Sequence, residues 1–275
     1  MNLLHLFCCA ALCNLLTAAT LAEDRDNKAA ENWPQWRGPL ATGVAPRADP
    51  PLVWNEAEGT NIRWRTGIPG LGHATPIVWD DRVFLTTAIA FGEALTPRPS
   101  TAPGNHDNLP VTHRHKFVAL AVSRANGKIL WQQTLNQALP TEQGHQTASL
   151  ASSSPVTDGE HLFVSFGSFG LYCLDLNGKL IWKADFGEHK SLHGHGEGSS
   201  PALYQETLIV NWDHEGKSFI VALDKRTGKE RWKVDRQEVT SWASPIIIEH
   251  DGKPQVIVSG TSRIRGYDLT TGKVL

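Results

Sequence analysis

The chain has 275 residues, 40% of them hydrophobic, and its 26 Lys and Arg against 28 Asp and Glu leave a formal charge of −2. That length suits one large domain or two ordinary ones with a sizeable core, and the charge balance excludes an electrostatic case for nucleic acid or an anionic membrane as the main partner. Charged residues at 20% together with 10 Trp argue against disorder, and 24 Gly with 16 Pro argue against a long-helix protein.

Residues 1–22 contain no Lys, Arg, Asp or Glu, have an apolar centre (Leu3, Leu4, Leu6, Phe7, Leu12, Leu15, Leu16), and end in small residues before Glu23-Asp24-Arg25-Asp26. The segment reads as a secretory signal peptide cleaved near Ala22, with an uncleaved anchor as the alternative. Cys8, Cys9 and Cys13 would leave with it, and Leu12 stands where a lipoprotein signal wants a small residue. The expectation is a periplasmic or extracellular protein with no membrane segment after cleavage, whose one remaining Cys173 has no intrachain disulfide partner.

Residues 23–60 read as an entry segment, with an entry strand expected around Ile62-Arg63-Trp64-Arg65. From 61 to 275 the chain repeats itself. Four Ser/Thr-Pro pairs (Thr75-Pro76, Ser154-Pro155, Ser200-Pro201, Ser244-Pro245) each open an apolar strand, and each is followed by a β-branched or aromatic run. Every unit then reaches a Gly-Lys turn, at Gly127, Gly178, Gly228 and Gly272, spaced 51, 50 and 44 residues apart. That period suits a four-stranded propeller blade. A Trp follows the Gly by four residues in the first three units (Trp131, Trp182, Trp232), and its expected role is to pack between neighbouring blades. An Asp precedes three of the turns (Asp175, Asp224, Asp268), and two residues earlier the side chain is small: Ala121, Cys173, Ala222, Gly266. Cys173 therefore reads as a small core hydrophobe rather than a reactive thiol. The same spacing expects the next Trp at position 276, one beyond Leu275, so the sequence reads as an unfinished propeller of about four blades.

The unit Ala222-Leu223-Asp224-Lys225-Arg226-Thr227-Gly228-Lys229-Glu230-Arg231-Trp232 resembles the tryptophan-docking motif of quinoprotein-like β-propellers, the pyrroloquinoline quinone (PQQ) repeat superfamily. Trp33-Pro34-Gln35-Trp36-Arg37-Gly38-Pro39, His193 to Pro201 and Ser259 to Asp268 resemble segments of exported PQQ-binding-like propellers of planctomycete-type bacteria. The resemblance covers nearly the whole mature chain. It implies an all-β propeller of four-stranded antiparallel blades in which Trp64, Trp131, Trp182 and Trp232 serve as docking residues. It does not select an activity, since the fold hosts enzymes and scaffolds alike.

Departures from the repeat mark where function can sit. Two insertions interrupt the first blade, over 88–116 and roughly 132–149; the former carries Asn105-His106-Asp107-Asn108 and reads as a cap, a partner contact or a plain surface excursion. By repeat equivalence, the residues ahead of each Ser/Thr-Pro approach one mouth of the channel, which makes His73, His145, Trp242 and Arg263 candidates there. His193, His195 and Glu197 are candidate metal ligands, weighed against a hydrogen-bonded structural loop. The preferred reading is an exported, non-catalytic scaffold that binds protein or carbohydrate. The alternatives are a PQQ- and Ca²⁺-dependent dehydrogenase-like oxidoreductase, though without the vicinal disulfide many of those enzymes carry, or a metal-binding propeller.

Overall fold

The computed structural model describes residues 28–275, so the signal-peptide reading of 1–22 lies outside the described residues. Each Ser/Thr-Pro pair ends in a short inner strand, because Pro cannot donate to a ladder and fixes the entry dihedral. The first sheet runs in order β1 (Ile77–Trp79), β2 (Arg82–Phe91), β3 (Arg114–Ser123), β4 (Ile129–Ala138). The second contains β5 (Val156–Thr157), β6 (His161–Ser165), β7 (Leu171–Asp175) and β8 (Leu180–Ala184). The third contains β9 (Ala202–Tyr204), β10 (Thr207–Trp212), β11 (Phe219–Asp224) and β12 (Glu230–Asp235). The fourth has three strands, β13 (Ile246–His250), β14 (Lys253–Ser259) and β15 (Ile264–Asp268). All ladders are antiparallel meanders, and the inner strands adjoin one another in the order β1, β5, β9, β13, as in the blades of a propeller. Among the described residues no helix is long and apolar enough to cross a membrane.

Two of the expected boundaries are corrected. Residues 88–91 and 114–116 are not insertion but the far end of the long β2–β3 ladder, and 132–138 belong to β4. The true excursions are 92–113 and 139–155, because the alternation of Phe117, Ala119 and Ala121 extends the hairpin past the repeat's usual length. The entry strand at 62–65 is likewise absent: these residues pair with no strand among those described, although Trp64 docks as the repeat requires.

The seams between blades follow from the motif. Each indole lies over the turn glycine of the following blade, Trp64 on Gly127, Trp131 on Gly178, Trp182 on Gly228 and Trp232 on Gly272. A Cβ on Gly228 would stand 2.7 Å from the Trp182 ring, and its φ of +69° is open to glycine at no cost, so the position excludes larger residues twice over. Each indole N–H also donates to a carbonyl of that turn, at Arg124, Leu176, Lys225 and Leu269, over 2.8 to 3.0 Å. The small-residue column sits directly across the ladder from the Trp (Ala121 opposite Trp131, Cys173 opposite Trp182, Ala222 opposite Trp232), which is why nothing bulky fits there. Cys173 is fully buried and burial pushes its thiol up to about 12, so it is inert as a nucleophile.

The turn aspartates tie the same seam. Asp224 accepts from the N–H groups of Arg226 and Thr227, the Thr227 hydroxyl and the Arg231 guanidinium; Asp268 accepts from Thr270, Thr271 and its hydroxyl; Asp175 accepts from Asn177 and Lys179. A second belt runs near the channel. The Thr75 N–H donates to Ser154 Oγ at 2.9 Å, the Ser154 N–H to Ser200 Oγ at 2.9 Å, and the Ser200 N–H to Ser244 Oγ at 2.8 Å. The repeated Ser thus opens a strand and also satisfies the buried donor of the preceding blade.

Candidate functional site

One mouth of the propeller is built from the connections that precede the inner strands (139–155, 185–201 and 236–245) together with the 92–113 excursion. Its floor holds a cavity of about 50 Å³ lined in part by Glu142, Ser153, His189, Glu197, Asn211 and Trp242. Glu197 occupies the wall because Gly167 leaves room for it: a Cβ there would come within van der Waals overlap of the carboxylate. The carboxylate accepts from the Ser168 N–H at 3.0 Å and the Ser168 hydroxyl at 2.7 Å, inside the short 3-10 turn Gly167–Phe169. Burial nevertheless dominates and pushes the Glu197 carboxyl up to about 7, and burial raises Glu142 beside it.

His189 closes the other side. Its Nε2 lies 3.1 Å from the Asp213 carbonyl, which can only accept, so the proton sits on Nε2 and Nδ1 presents a lone pair. That Nδ1 is buried without a partner, 4.0 Å from Glu197 Oε2. Burial, then the neighbouring His214, pushes this imidazole down to about 4, so it is neutral at physiological pH. Ser153 Oγ and Asn211 Oδ1 are also buried without partners in the same wall. The cavity is therefore rich in acceptors and suits a small hydrogen-bond donor or ordered water rather than an anion. Asp213 itself is committed elsewhere, in a fully buried bidentate pair with Arg236 at 2.6 and 2.8 Å, which carries on to the Tyr267 hydroxyl of the fourth sheet.

Above this floor the rings of His106, His145, His193 and His195 gather, with His195 4.6 Å from His106, 4.9 Å from His145 and 5.4 Å from His193 between centroids. Trp242 stacks on His195 at 6.4 Å and donates its indole N–H to the Gly196 carbonyl. The structure thus separates the H-x-H-x-E run: the two imidazoles face the excursion, whereas Glu197 turns to Ser168, and the three do not share one point. His73 lies outside the group, its backbone N–H on Ala151 O and Ser149 Oγ and its side chain exposed. Arg263 is exposed in the turn after β14 and lines neither the cavity nor the imidazole group. Among the described residues one trio, Asp158, Glu160 and His161, brings ligand-type atoms within 4.8 Å of one another, but Asp158 is spent on the Lys225 ammonium at 2.7 Å and on the N–H groups of Glu160 and His161.

A second space lies along the inner strands. Trp33 pairs with Val78 beside β1, and Pro34 O accepts from the Thr157 N–H, so the entry segment crosses the inner faces of the first two blades. Between it and β9 and β13 runs a groove of about 380 Å³ whose apolar wall includes Trp36, Pro39, Leu40, Leu203, Tyr204 and Ile247. Sequence reasoning placed His106 only in a cap, partner contact or surface excursion, and it passed over this groove, His189, Ser153 and Asn211. The signal for the groove was the density of Trp and Pro at 33–39, and the signal for His106 was its place in the longest departure from the repeat.

The family model described as outer membrane protein assembly factor BamB matches residues 115–275. Among solved structures, the quinohemoprotein alcohol dehydrogenase of Comamonas testosteroni is similar at 13% identity, a TM-score of 0.53 and coverage of 90% of this chain and 41% of that one. BamB from Moraxella catarrhalis is similar at 15% identity and a TM-score of 0.39, covering 70% of this chain and 63% of that one. A europium-containing methanol dehydrogenase gives 14% identity and 0.47, covering 76% and 42%. The chain thus spans between 41% and 63% of the length of these structures. No curated protein matches it. Identities this low speak for the fold alone, a PQQ-like repeat β-propeller.

Proposed function

The chain belongs to the outer membrane protein assembly factor BamB family, whose model takes in more than half of it, and from that premise we propose that it is an exported, non-catalytic propeller scaffold that holds an apolar segment of another protein. The observation that carries this reading is the groove beside the entry segment. Its volume of about 380 Å³ and its Trp, Pro, Leu, Tyr and Ile wall suit one or two large side chains of an extended peptide. Tyr204 is held in place by its hydroxyl bond to Glu249 Oε1 at 2.6 Å, so the wall is preorganised, which lowers the cost of binding. Export rests on the signal-type composition of residues 1–22, and a periplasmic or extracellular site follows from it.

The alternative, PQQ- and Ca²⁺-dependent alcohol oxidation, meets the wrong chemistry. PQQ is a tricarboxylate of drug-like size. The mouth cavity is far below the roughly 300 Å³ at which ligand pockets begin, and among the described residues neither space is lined by Lys or Arg, while both present carboxylates. Ca²⁺ takes about six to eight oxygens, and Glu197 already has both of its oxygens on Ser168.

The test is to pan a displayed random-peptide library against the full chain and against Leu40→Asp and Tyr204→Ala. Enrichment of apolar or aromatic sequences that bind the wild type in the micromolar range and the variants at least tenfold more weakly supports the proposal. No enriched pattern, or equal binding to the variants, overturns it, and capture of oligosaccharides instead assigns the groove to carbohydrate.

A further inference from the structure

Independently of the groove, we propose that His106, His145, His193 and His195 form a binding site for one transition-metal ion of the zinc class. Imidazole suits Zn²⁺, Cu²⁺ and Ni²⁺. With a Zn–N bond of about 2.0–2.1 Å, four tetrahedral imidazoles place their ring centroids about 5 Å apart. Five of the six pairs stand 4.6, 4.9, 5.3, 5.4 and 6.4 Å apart, and His145 and His193 make no direct ring contact. Among the described residues no three of these donor nitrogens lie within 4.8 Å of one another, so binding draws the four side chains together by small shifts.

The surrounding hydrogen bonds select the ligating nitrogen of two of the four rings. His106 Nδ1 lies 3.0 Å from the Gly104 carbonyl and His193 Nδ1 lies 3.0 Å from the Pro103 carbonyl. A carbonyl only accepts, so both rings carry their proton on Nδ1 and offer Nε2 as the lone pair, the outer-shell arrangement that orients metal-bound histidines. His145 Nδ1 accepts the Thr147 N–H at 3.2 Å and lies 2.8 Å from the Thr147 hydroxyl, so its proton sits on Nε2 and must leave when that nitrogen ligates, whereas His195 Nε2 is buried with no hydrogen-bond partner. Asp107, whose carboxylate stands 4.0 Å from His145 Nε2, adds negative charge beside the group.

The backbone is tied in advance. His145 N–H donates to His195 O, Gln146 N–H to Asp107 O and Leu109 N–H to Gly144 O, while Asn108 Nδ2 donates to His193 O at 2.7 Å. His193 is held at φ +58°, a region rare for a non-glycine residue and one that surrounding contacts must impose. Three separate chain segments therefore converge on one point, and a bound ion would staple the 92–113 excursion of the first blade to the connection that leads into the third.

The experiment titrates the full chain with Zn²⁺ against a chromophoric chelator and uses Co²⁺ as the optical probe. The expected results are one ion per chain, an intense four-coordinate Co²⁺ visible band, and at least tenfold weaker binding in His106→Ala and in His195→Ala, with His73→Ala unchanged. Circular dichroism checks folding, and the exposed His106 serves if His195→Ala does not fold. Absence of binding at 100 µM free metal, unaltered affinity in His106→Ala, or loss that follows His161→Ala instead would overturn the proposal.

Discussion

The seam between the second and third blades and the mouth above them use the same kinds of residue to opposite ends. At the seam the repeated polar groups are spent: the Trp182 N–H on Lys225 O, the Asp224 carboxylate on its own turn and on Arg231, the Ser154 N–H on Ser200 Oγ. At the mouth, His189 Nδ1, Ser153 Oγ, Asn211 Oδ1 and His195 Nε2 are buried with no partner. Orphaned buried polar atoms cost stability, and their concentration at one end shows that the repeat holds the chain together while the connections carry whatever chemistry the protein offers.

The comparison is broken most forcefully at the seam. Trp232, 9% exposed and packed on Gly272, should cost about 3–5 kcal/mol when replaced by Ala, read as a fall in the urea midpoint. Replacing Ser200 by Ala strands the buried Ser154 N–H and should cost about 1–3 kcal/mol by the same measurement. Asp224→Asn should cost about 1 kcal/mol after screening by solvent. Its pH dependence is specific: the Arg231 guanidinium holds the Asp224 carboxyl down at about 2 from an ordinary 3.8. A lowered pKa stabilises above the ordinary value, so the deficit of the variant should be full above about pH 5 and should disappear as pH falls from 3.8 toward 2. The smallest effect belongs to the mouth, where His106→Ala should leave metal-free stability within about 0.5 kcal/mol, because the ring is exposed. A His106→Ala cost matching that of Trp232→Ala would erase the distinction.

Much of the seam was legible in the sequence because its parts are local and repeated. Gly228 four residues before Trp232, with Asp224 four residues before the glycine, states a turn and its docking surface within one short stretch. What periodicity could not show is which neighbour each Trp meets, or that the Ser before each Pro accepts a hydrogen bond from the blade before it, since both are contacts over more than 40 residues. The mouth was legible only as a list of residue types. His193, His195 and Glu197 alternate in sequence, which in an extended chain would put all three on one face; the 3-10 turn Leu192–Gly194 with His193 at φ +58° breaks that pattern, and Glu197 turns to Ser168 while the imidazoles face the excursion. His106 lies 87 residues before His193, in an excursion whose path no repeat dictates, so their meeting at 5.3 Å was unreadable in advance. The insertion limits failed for a simpler reason: strands that continue past the usual blade length look like interruptions when only the repeat is counted.

The most direct test of a binding rather than redox role puts both in one sample. The full chain is incubated with PQQ and Ca²⁺, and dye-linked alcohol oxidation is followed alongside binding of a peptide selected on the groove. A binding scaffold gives no turnover above the protein-free control, together with peptide binding that Tyr204→Ala weakens at least tenfold; PQQ-dependent oxidation with no peptide binding would contradict that role.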